Sequence, residues 1–135
     1  MNFKKVMVID DVQIDRYMAE KVMKKYDFTD EVVTVESAMD GLELLEACIE
    51  DPGALPDLIF LDINMPQMSG FDFLDEYAKF PEHVKKKCII IMLSSSMHPE
   101  DKNRALENPY IWRFLGKPLN ADRLREISQI TYYKF

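Results

Sequence analysis

The 135-residue sequence has few of the residues that form metal centres or covalent cross-links in small domains. It contains only two cysteines and two histidines, and their positions do not have the spacing of a zinc site. Cys48 and Cys88 lie in apolar segments, which favours free thiols in a reducing compartment over a disulfide. The sequence therefore predicts neither a zinc site nor a disulfide framework.

Long apolar runs and clustered positive charge are also missing from the sequence. No apolar segment approaches the roughly 18 residues that cross a bilayer, and the apolar run at residues 6–9 is followed by two acids rather than by a signal-peptide cleavage site. The net charge is −7, which argues against a nucleic-acid surface. The three lysines at 85–87 are interpreted as a solvated face. We expect a cytoplasmic protein that binds neither membranes nor nucleic acids.

What the sequence does have is a regular alternation of short apolar runs and amphipathic segments. The apolar runs predict five strands, at residues 6–9, 32–35, 58–61, 88–93 and 110–115. Helices are predicted over residues 12–26, after Ser37, after Ser69, over residues 100–107 and after Asn120. Residues 80–83 are predicted as a break. This order predicts one domain over residues 1–135, an α/β fold with a doubly wound five-stranded parallel sheet flanked by five helices.

The buried faces of the helices are predicted from apolar residues three or four positions apart. These are Ile14, Met18 and Val22 with Tyr17 beside them, then Leu42, Leu45 and Ile49, then Phe71, Leu74 and Ala78, and finally Leu124, Ile127 and Ile130.

Polar side chains stand where four of the predicted strands end. These are the acid pair Asp10-Asp11, Asp62, the pair Ser94-Ser95, and Lys117. Each one alone has a plain interpretation, as a helix cap, a turn residue or a surface lysine. In a doubly wound sheet, however, the carboxyl ends of the strands meet at one edge, where such folds bind ligands. We therefore expect these side chains to lie together.

Three neighbouring carboxylates need a cation, because two unit charges 4 Å apart interact by about 4 kcal/mol at an effective dielectric of 20. Oxygen ligands with open water positions suit Mg²⁺. Lys117 would place a fixed positive charge on the other side of Asp62. The predicted site would hold a phosphoryl group on Asp62, with the Asp62 carboxylate as nucleophile and with Lys117 and the Ser94 hydroxyl on the phosphoryl oxygens.

The ordered set of Asp10-Asp11, the segment 62–70, Ser94 and Lys117-Pro118 resembles the receiver domain of two-component response regulators, over about residues 4–130. The resemblance implies the flavodoxin-like receiver fold and an aspartyl phosphate on Asp62. It implies a Mg²⁺ site formed by Asp10, Asp11, Asp62 and the backbone carbonyl of Asn64. It also implies that Lys117 pairs with the phosphoryl group.

The resemblance further implies a switch made of a hydroxyl after the fourth strand and an aromatic residue on the fifth. Ser94, Ser95 and Ser96 are the candidates for the hydroxyl, and Ser94 is favoured because it directly follows the apolar run. Phe114 stands at the aromatic position, although a plain core role is the alternative. The segment from Ala105 to Lys117 is one residue longer than is usual in the family.

The partners implied are a sensor histidine kinase or a histidine phosphotransfer protein, and an output protein on the face of the fourth helix, fifth strand and fifth helix. Trp112, expected on the same strand face as Phe114, and the tyrosines at 110, 132 and 133 could belong to that face or to the core. The oligomeric state stays open, a homodimer included. Because the sequence ends within a few residues of the last predicted helix, we expect no attached output domain. The domain would signal by binding a partner, or would serve as a phosphorelay member or phosphate sink. It would catalyse only its own phosphorylation and dephosphorylation and would have no separate substrate.

Two other functions are alternatives to phosphoacceptor signalling. An aspartyl-phosphate phosphatase would need an Asp-x-Asp pattern after the first strand, and Asp10-Asp11-Val12 does not match it. A receiver-like module that binds without phosphorylation would usually have lost one of the acids, the hydroxyl or the lysine, and this sequence retains all of them.

Overall fold

The computed structural model describes residues 3–134, with side chains described for residues 3–129. Its five strands are β1 Phe3–Ile9, β2 Thr29–Val35, β3 Leu58–Asp62, β4 Ile89–Ser94 and β5 Ile111–Gly116. All pair in parallel, in the order β2-β1-β3-β4-β5. The order changes direction at β1 and β3, so a ligand crevice is expected at the carboxyl ends of these two strands. The predicted doubly wound parallel sheet is confirmed.

The described part of the chain has six α-helices, one more than predicted. They are α1 Gln13–Lys25, α2 Ala38–Ala47, α3 Gly70–Tyr77, α4 Glu82–Lys87, α5 Pro99–Glu107 and α6 Ala121–Lys134. The additional helix is α4, which begins inside the segment predicted as a break. Pro81 precedes it without ending it, because proline is tolerated where a helix begins. The helix has only one buried residue, Val84, followed by three lysines, so its sequence lacks the repeated apolar residues that would have predicted a helix.

Two apolar clusters form the core, one on each face of the sheet. Residues from α2, α3 and α5 cover one face, while residues from α1 and α6 cover the other. Neighbouring residues of β1 belong to opposite clusters, as in a strand that is buried on both sides. Both cysteines are free, and burial raises the pKa of Cys88 to about 12, so its thiol is unreactive at neutral pH. No helix in the described range is long and apolar enough to cross a membrane.

The predicted inner face of α1 is wrong. Ala19 and Met23 are the buried residues, whereas Ile14 is 60% exposed and Met18 is 50% exposed. Tyr17 is also exposed, and only Val22 of the predicted set packs against the core. The helix has two adjacent stripes of apolar residues, and the prediction chose the stripe with the larger side chains, which is the exposed one. The small Ala19 instead allows the helix to lie close to the sheet.

The other helix faces agree better with the pattern. Leu42, Leu45, Phe71, Leu74, Leu124 and Ile127 are buried as predicted. Ile49 is partly buried but lies beyond the end of α2, and Ala78 is exposed because Phe73 and Tyr77 complete the inner face of α3. The side chain of Ile130 lies outside the described residues. Ser69 and Asp72 form a full capping box, and Ser37 accepts a hydrogen bond from the Asp40 amide.

A β-bulge in β5 separates two aromatic residues that were expected on one face. Ile90 pairs with Ile111 but Ile91 pairs with Arg113, so β5 carries one extra residue at this point. Trp112 therefore packs against the α1–α6 side of the sheet, whereas Phe114 lies in the core on the opposite face. Tyr110 is half-buried against the ring of Tyr77. The shared aromatic face was thus a wrong prediction, and the side chains of Tyr132 and Tyr133 are not among those described.

Gly70 begins α3 at a point where the chain passes directly over the end of β3. A Cβ atom there would lie 2.5 Å from the backbone oxygen of Asp62 and 2.9 Å from the Met92 methyl group. We expect Gly70→Ala to lower the free energy of unfolding by about 1–3 kcal/mol, the usual cost of overpacking. Urea unfolding measures this, with Gly53→Ala as the control, because the nearest atom there is 3.7 Å away. Equal stability of the two variants would contradict the close approach.

Candidate functional site

Three acidic side chains meet where β1 and β3 end. Asp10 directly follows β1 and Asp62 is the last residue of β3, and the pairing of Ile9 with Leu61 holds the two ends side by side. One oxygen each from Asp10, Asp11 and Asp62 lie within 4.8 Å of one another. Asp10 and Asp62 are buried while Asp11 is exposed. The predicted acid cluster is therefore present, with one side open to solvent.

Lys117 provides the positive charge beside this cluster. Its Nζ lies 2.7 Å from Asp10 Oδ2 and 3.2 Å from Asp62 Oδ1. The lysine follows β5, and its backbone amide donates a hydrogen bond of 2.8 Å to the Ser94 carbonyl at the end of β4. The Lys117–Pro118 peptide bond is cis. Four strand ends thus meet at one place, as the sequence predicted.

Two residues of α1 belong to the same network and were not predicted. Asp15 Oδ2 lies 2.9 Å from Lys117 Nζ, and Arg16 Nη1 donates a hydrogen bond of 2.8 Å to the Asp10 carbonyl. Arg16 also forms an ion pair of 3.5 Å with Glu36. An acid and a base in the first turn of a helix that follows the acid pair could have been noted in the sequence. Whether the side chains of Asp15 and Arg16 point toward the site depends on the rotation of α1 about its axis, which was predicted incorrectly.

Burial and charge both favour the protonated form of Asp62. Burial and then the neighbouring Asp10 charge raise its pKa from the usual 3.8 to about 6, even though Lys117 acts in the opposite direction. Burial alone would lower the pKa of Lys117, but its hydrogen bonds to Asp10 and Asp15 outweigh burial and raise it. The network therefore sets the acids Asp10, Asp11, Asp15 and Asp62 around the single ammonium group of Lys117, and it has more negative charge than this lysine neutralises.

The raised pKa of Asp62 predicts a pH-dependent stability without divalent cations. Between about pH 4 and pH 6 the folded state holds this proton and the unfolded state does not, so the contribution of Asp62 to stability is lost as pH rises. We expect Asp62→Asn to exceed wild type in unfolding free energy by more at pH 7 than at pH 4. Urea unfolding in EDTA measures this difference, and a gap independent of pH would contradict the raised pKa.

The oxygen donors of the acid cluster suit a hard divalent cation. Mg²⁺ takes one or two carboxylates and keeps several waters, and a cluster with two buried acids and one exposed acid leaves room for them. Asn64 follows β3 in the loop before α3, with an exposed side chain. Its carbonyl remains the predicted fourth protein ligand.

Ser94 and Phe114 are both buried near this site. Ser94 is the last residue of β4, and its Oγ donates to the carbonyl of Ser96 and accepts from the Ser96 amide at 3.1 Å. Ser95 and Ser96 are exposed, so of the three candidates Ser94 alone has a buried hydroxyl. Phe114 pairs with Met92 in the sheet and packs in the core cluster that contains Ala105.

Comparison with known proteins agrees with this geometry. The response regulator receiver domain family matches residues 6–129. The chain is 32% identical over 123 residues to the chemotaxis protein CheY of Listeria monocytogenes, covering 90% of this chain and 92% of that protein. Four further curated relatives are histidine kinases, and the chain spans only 7–14% of their length.

Solved structures show the same fold. A two-component response regulator from Cytophaga hutchinsonii superimposes with a TM-score of 0.91 at 26% identity, covering 98% of this chain and 99% of that one. The receiver domain of the histidine kinase CKI1 from Arabidopsis thaliana, a complex with Mg²⁺ and BeF₃⁻, gives a TM-score of 0.77 at 29% identity, covering 93% and 90%. Fold, strand-end residues and sequence thus agree, and the chain belongs to the response regulator receiver domain family.

Proposed function

We propose that this receiver domain accepts a phosphoryl group on Asp62 from a phosphohistidine of a sensor kinase or phosphotransfer protein, in a reaction that depends on Mg²⁺. The observation that carries this proposal is the position of the buried Asp62 carboxylate. It lies 3.2 Å from the Lys117 ammonium and within 4.8 Å of the ligand oxygens of Asp10 and Asp11. A plain capping aspartate needs neither neighbour, whereas an acceptor of a dianionic group needs both.

In the proposed transfer, one carboxylate oxygen of Asp62 attacks phosphorus while the phosphorus–nitrogen bond to the donor histidine breaks. The bonding electron pair stays on the imidazole nitrogen, which takes up a proton. Lys117 would bind a phosphoryl oxygen and would leave its present partners Asp10 and Asp15 in part. Bound to Asp10, Asp11, Asp62 and the Asn64 carbonyl, Mg²⁺ would supply charge neutralisation and orientation of the phosphoryl oxygens. Attack of water on the aspartyl phosphate would return free Asp62 and inorganic phosphate.

We further propose that Ser94 and Phe114 transmit the state of Asp62. The Ser94 hydroxyl now binds the Ser96 backbone, so contact with a phosphoryl oxygen requires it to exchange these hydrogen bonds. Phe114 lies on β5, the strand that pairs with the strand of Ser94, and it belongs to the core cluster that contains Ala105 of α5. The surface that would change is formed by α5, β5 and α6, and an output protein would bind there.

The test is intact mass spectrometry after incubation with a small phosphodonor such as acetyl phosphate. We expect one added phosphoryl group in the presence of Mg²⁺ and little in EDTA, and borohydride trapping followed by peptide mapping should locate it at Asp62. Absence of the adduct with Mg²⁺ would favour a module that binds without phosphorylation. Turnover of the donor with the label on Asp10 or Asp11 instead would favour the phosphatase alternative.

Mg²⁺ binding is tested separately by thermal unfolding. A cation that binds only the folded acid cluster raises the midpoint by mass action, with the gain growing as RT ln(1 + [Mg²⁺]/Kd). We expect millimolar Mg²⁺ to raise the melting temperature of wild type and to have a smaller effect on Asp11→Asn. An unchanged wild-type midpoint would remove the metal from the proposal.

A further inference from the structure

A groove between α2 and α3 is lined by none of the acids, the serine or the lysine of the strand-end site. The groove there has a volume of about 590 Å³. Its apolar lining includes Met39, Ile49, Met68 and Phe80. Met39 is 51% exposed, and the other three are only partly buried against the core beneath. The domain therefore presents a concave apolar surface that its own side chains do not fill.

The walls of this groove are acidic. Glu43 and Glu46 from α2 and Glu76 from α3 line it, together with Lys79. Lys79 lies 3.2 Å from Glu76 and neutralises that acid, whereas Glu43 and Glu46 are exposed and have no ion pair among the described side chains. Two negative charges without a neutralising partner in the described range therefore stand on the α2 wall, beside the methionines.

The negative charge extends beyond the groove into the surrounding segment of the chain. Residues 26–78, which include β2, α2, β3 and α3, contain 14 acidic residues and no lysine or arginine. All 17 basic residues lie outside this segment. On the outer side of α2, a second depression is lined by Glu36, Asp40 and Glu43 beside the exposed Leu44. An occupant of the groove therefore meets an excess of negative charge around α2, because Lys79 offsets only Glu76 and Arg16 offsets only Glu36.

We propose that the α2–α3 groove binds a cationic amphipathic helix of a partner protein. Methionine side chains are flexible and polarisable, and they suit apolar faces of varied shape. An amphipathic helix would place its apolar face in the groove and its lysines or arginines against Glu43 and Glu46. A second copy of this chain fits poorly, because it would bring the same acidic face into contact. Nucleic acid and anionic membrane are disfavoured for the same reason.

This inference goes beyond the proposed phosphoacceptor function and does not depend on it, since the groove is complete without a phosphoryl group. Its test uses a fluorescein-labelled 14-residue peptide with leucines on one helical face and lysines on the other. We expect saturable binding by fluorescence anisotropy that weakens as salt rises, and no binding of the same peptide with glutamates in place of lysines. The double variant Glu43→Lys/Glu46→Lys should bind about tenfold more weakly or worse, because both wall charges are reversed.

The matched control is Asp30→Lys/Glu31→Lys, which makes the same change of net charge at two exposed acids of β2, outside both the groove and the proposed output surface. If attraction to overall negative charge explained binding, both double variants would weaken it equally, and the proposal would be overturned. Methyl NMR of wild type gives an independent readout. The Met39 and Met68 signals should shift with peptide, while those of the core residues Met7 and Met23 should not. Shifts elsewhere, or none, would also overturn the proposal.

Discussion

Replacement of Asp62 by asparagine is expected to abolish phosphorylation and, at the same time, to stabilise the domain. The amide keeps the shape of the side chain but is not a nucleophile, so no aspartyl phosphate can form. It also removes one of three crowded carboxylates. With its pKa raised from 3.8 to about 6, the charged form of Asp62 costs the metal-free protein up to about 3 kcal/mol above pH 6. Because this raised pKa already includes the opposing attraction of Lys117, we expect the neutral amide to gain about 2–3 kcal/mol.

Intact mass with acetyl phosphate and Mg²⁺ measures the first effect, and urea unfolding in EDTA measures the second. The control is Asp75→Asn, an exposed acid on α3 away from the cluster. It should be phosphorylated like wild type and change the free energy of unfolding by less than about 0.5 kcal/mol. A phosphorylated Asp62→Asn variant would contradict the role of Asp62. A destabilised variant would contradict the crowding of the three carboxylates.

Replacement of Lys117 by methionine is expected to cause the largest loss of stability among the site variants. Methionine keeps the length of the side chain but removes the charge, and it leaves Asp10 and Asp62 buried without a cation. Removal of one partner from a buried ion pair costs about 3–5 kcal/mol. The side chains of Lys117, Asp10 and Asp62 are only 12%, 4% and 7% exposed, so solvent screens these charges little. We expect a loss of about 3 kcal/mol in EDTA.

Two comparisons separate this charge effect from a simple packing defect. Saturating Mg²⁺ should recover part of the loss, because a divalent cation replaces the missing positive charge. The double variant Lys117→Met/Asp10→Asn should be more stable than Lys117→Met alone, because it removes one of the unpaired acids. A loss that is the same in Mg²⁺ and EDTA, and that Asp10→Asn does not relieve, would show that packing rather than charge is responsible.

Stability and function are opposed at this site. The carboxylates that lower the stability of the metal-free protein are the predicted cation ligands, and the lysine that holds them together is the predicted partner of the phosphoryl group. The further groove between α2 and α3 uses acidic residues differently. Glu43 and Glu46 are exposed and widely solvated, so they cost the fold little and remain available to a partner.

Several features of the fold could be read from local pattern. The central strands β1, β3 and β4 contain apolar runs buried on both faces, and the edge strands β2 and β5 also contain short apolar runs, so the positions of all five are visible without knowledge of their partners. The capping box of Ser69 and Asp72 is a contact within four residues, and the structure forms it as predicted. Helix α4 escaped detection because it is six residues long with one buried side chain. A helix of that length is stabilised by what it packs on, and the sequence carries little sign of it.

The rotation of a helix about its axis and the register of a strand were harder to predict from the sequence. The face of α1 was predicted from its largest apolar residues, but packing against the sheet selected the stripe with Ala19 and Met23. The bulge in β5 reverses the alternation after Ile111, so Trp112 and Phe114 occupy opposite faces. Both outcomes depend on the shape of the surface against which the element packs. The spacing of apolar residues along the sequence does not contain that information.

The sequence by itself determined which polar residues stand at the ends of strands. These residues are the pair Asp10-Asp11, Asp62, Ser94 and Lys117, and each comes at or just after the end of an apolar run that forms a strand. Only the tertiary structure decided which of these charged groups contact one another and how strongly they interact. The approach of β1, β3 and β5 brings Lys117 within 3.2 Å of Asp10 and Asp62, and the rotation of α1 adds Asp15 to the same ammonium group. The physical reason is that electrostatic coupling depends on distance and burial, which are set when the helices pack on the sheet.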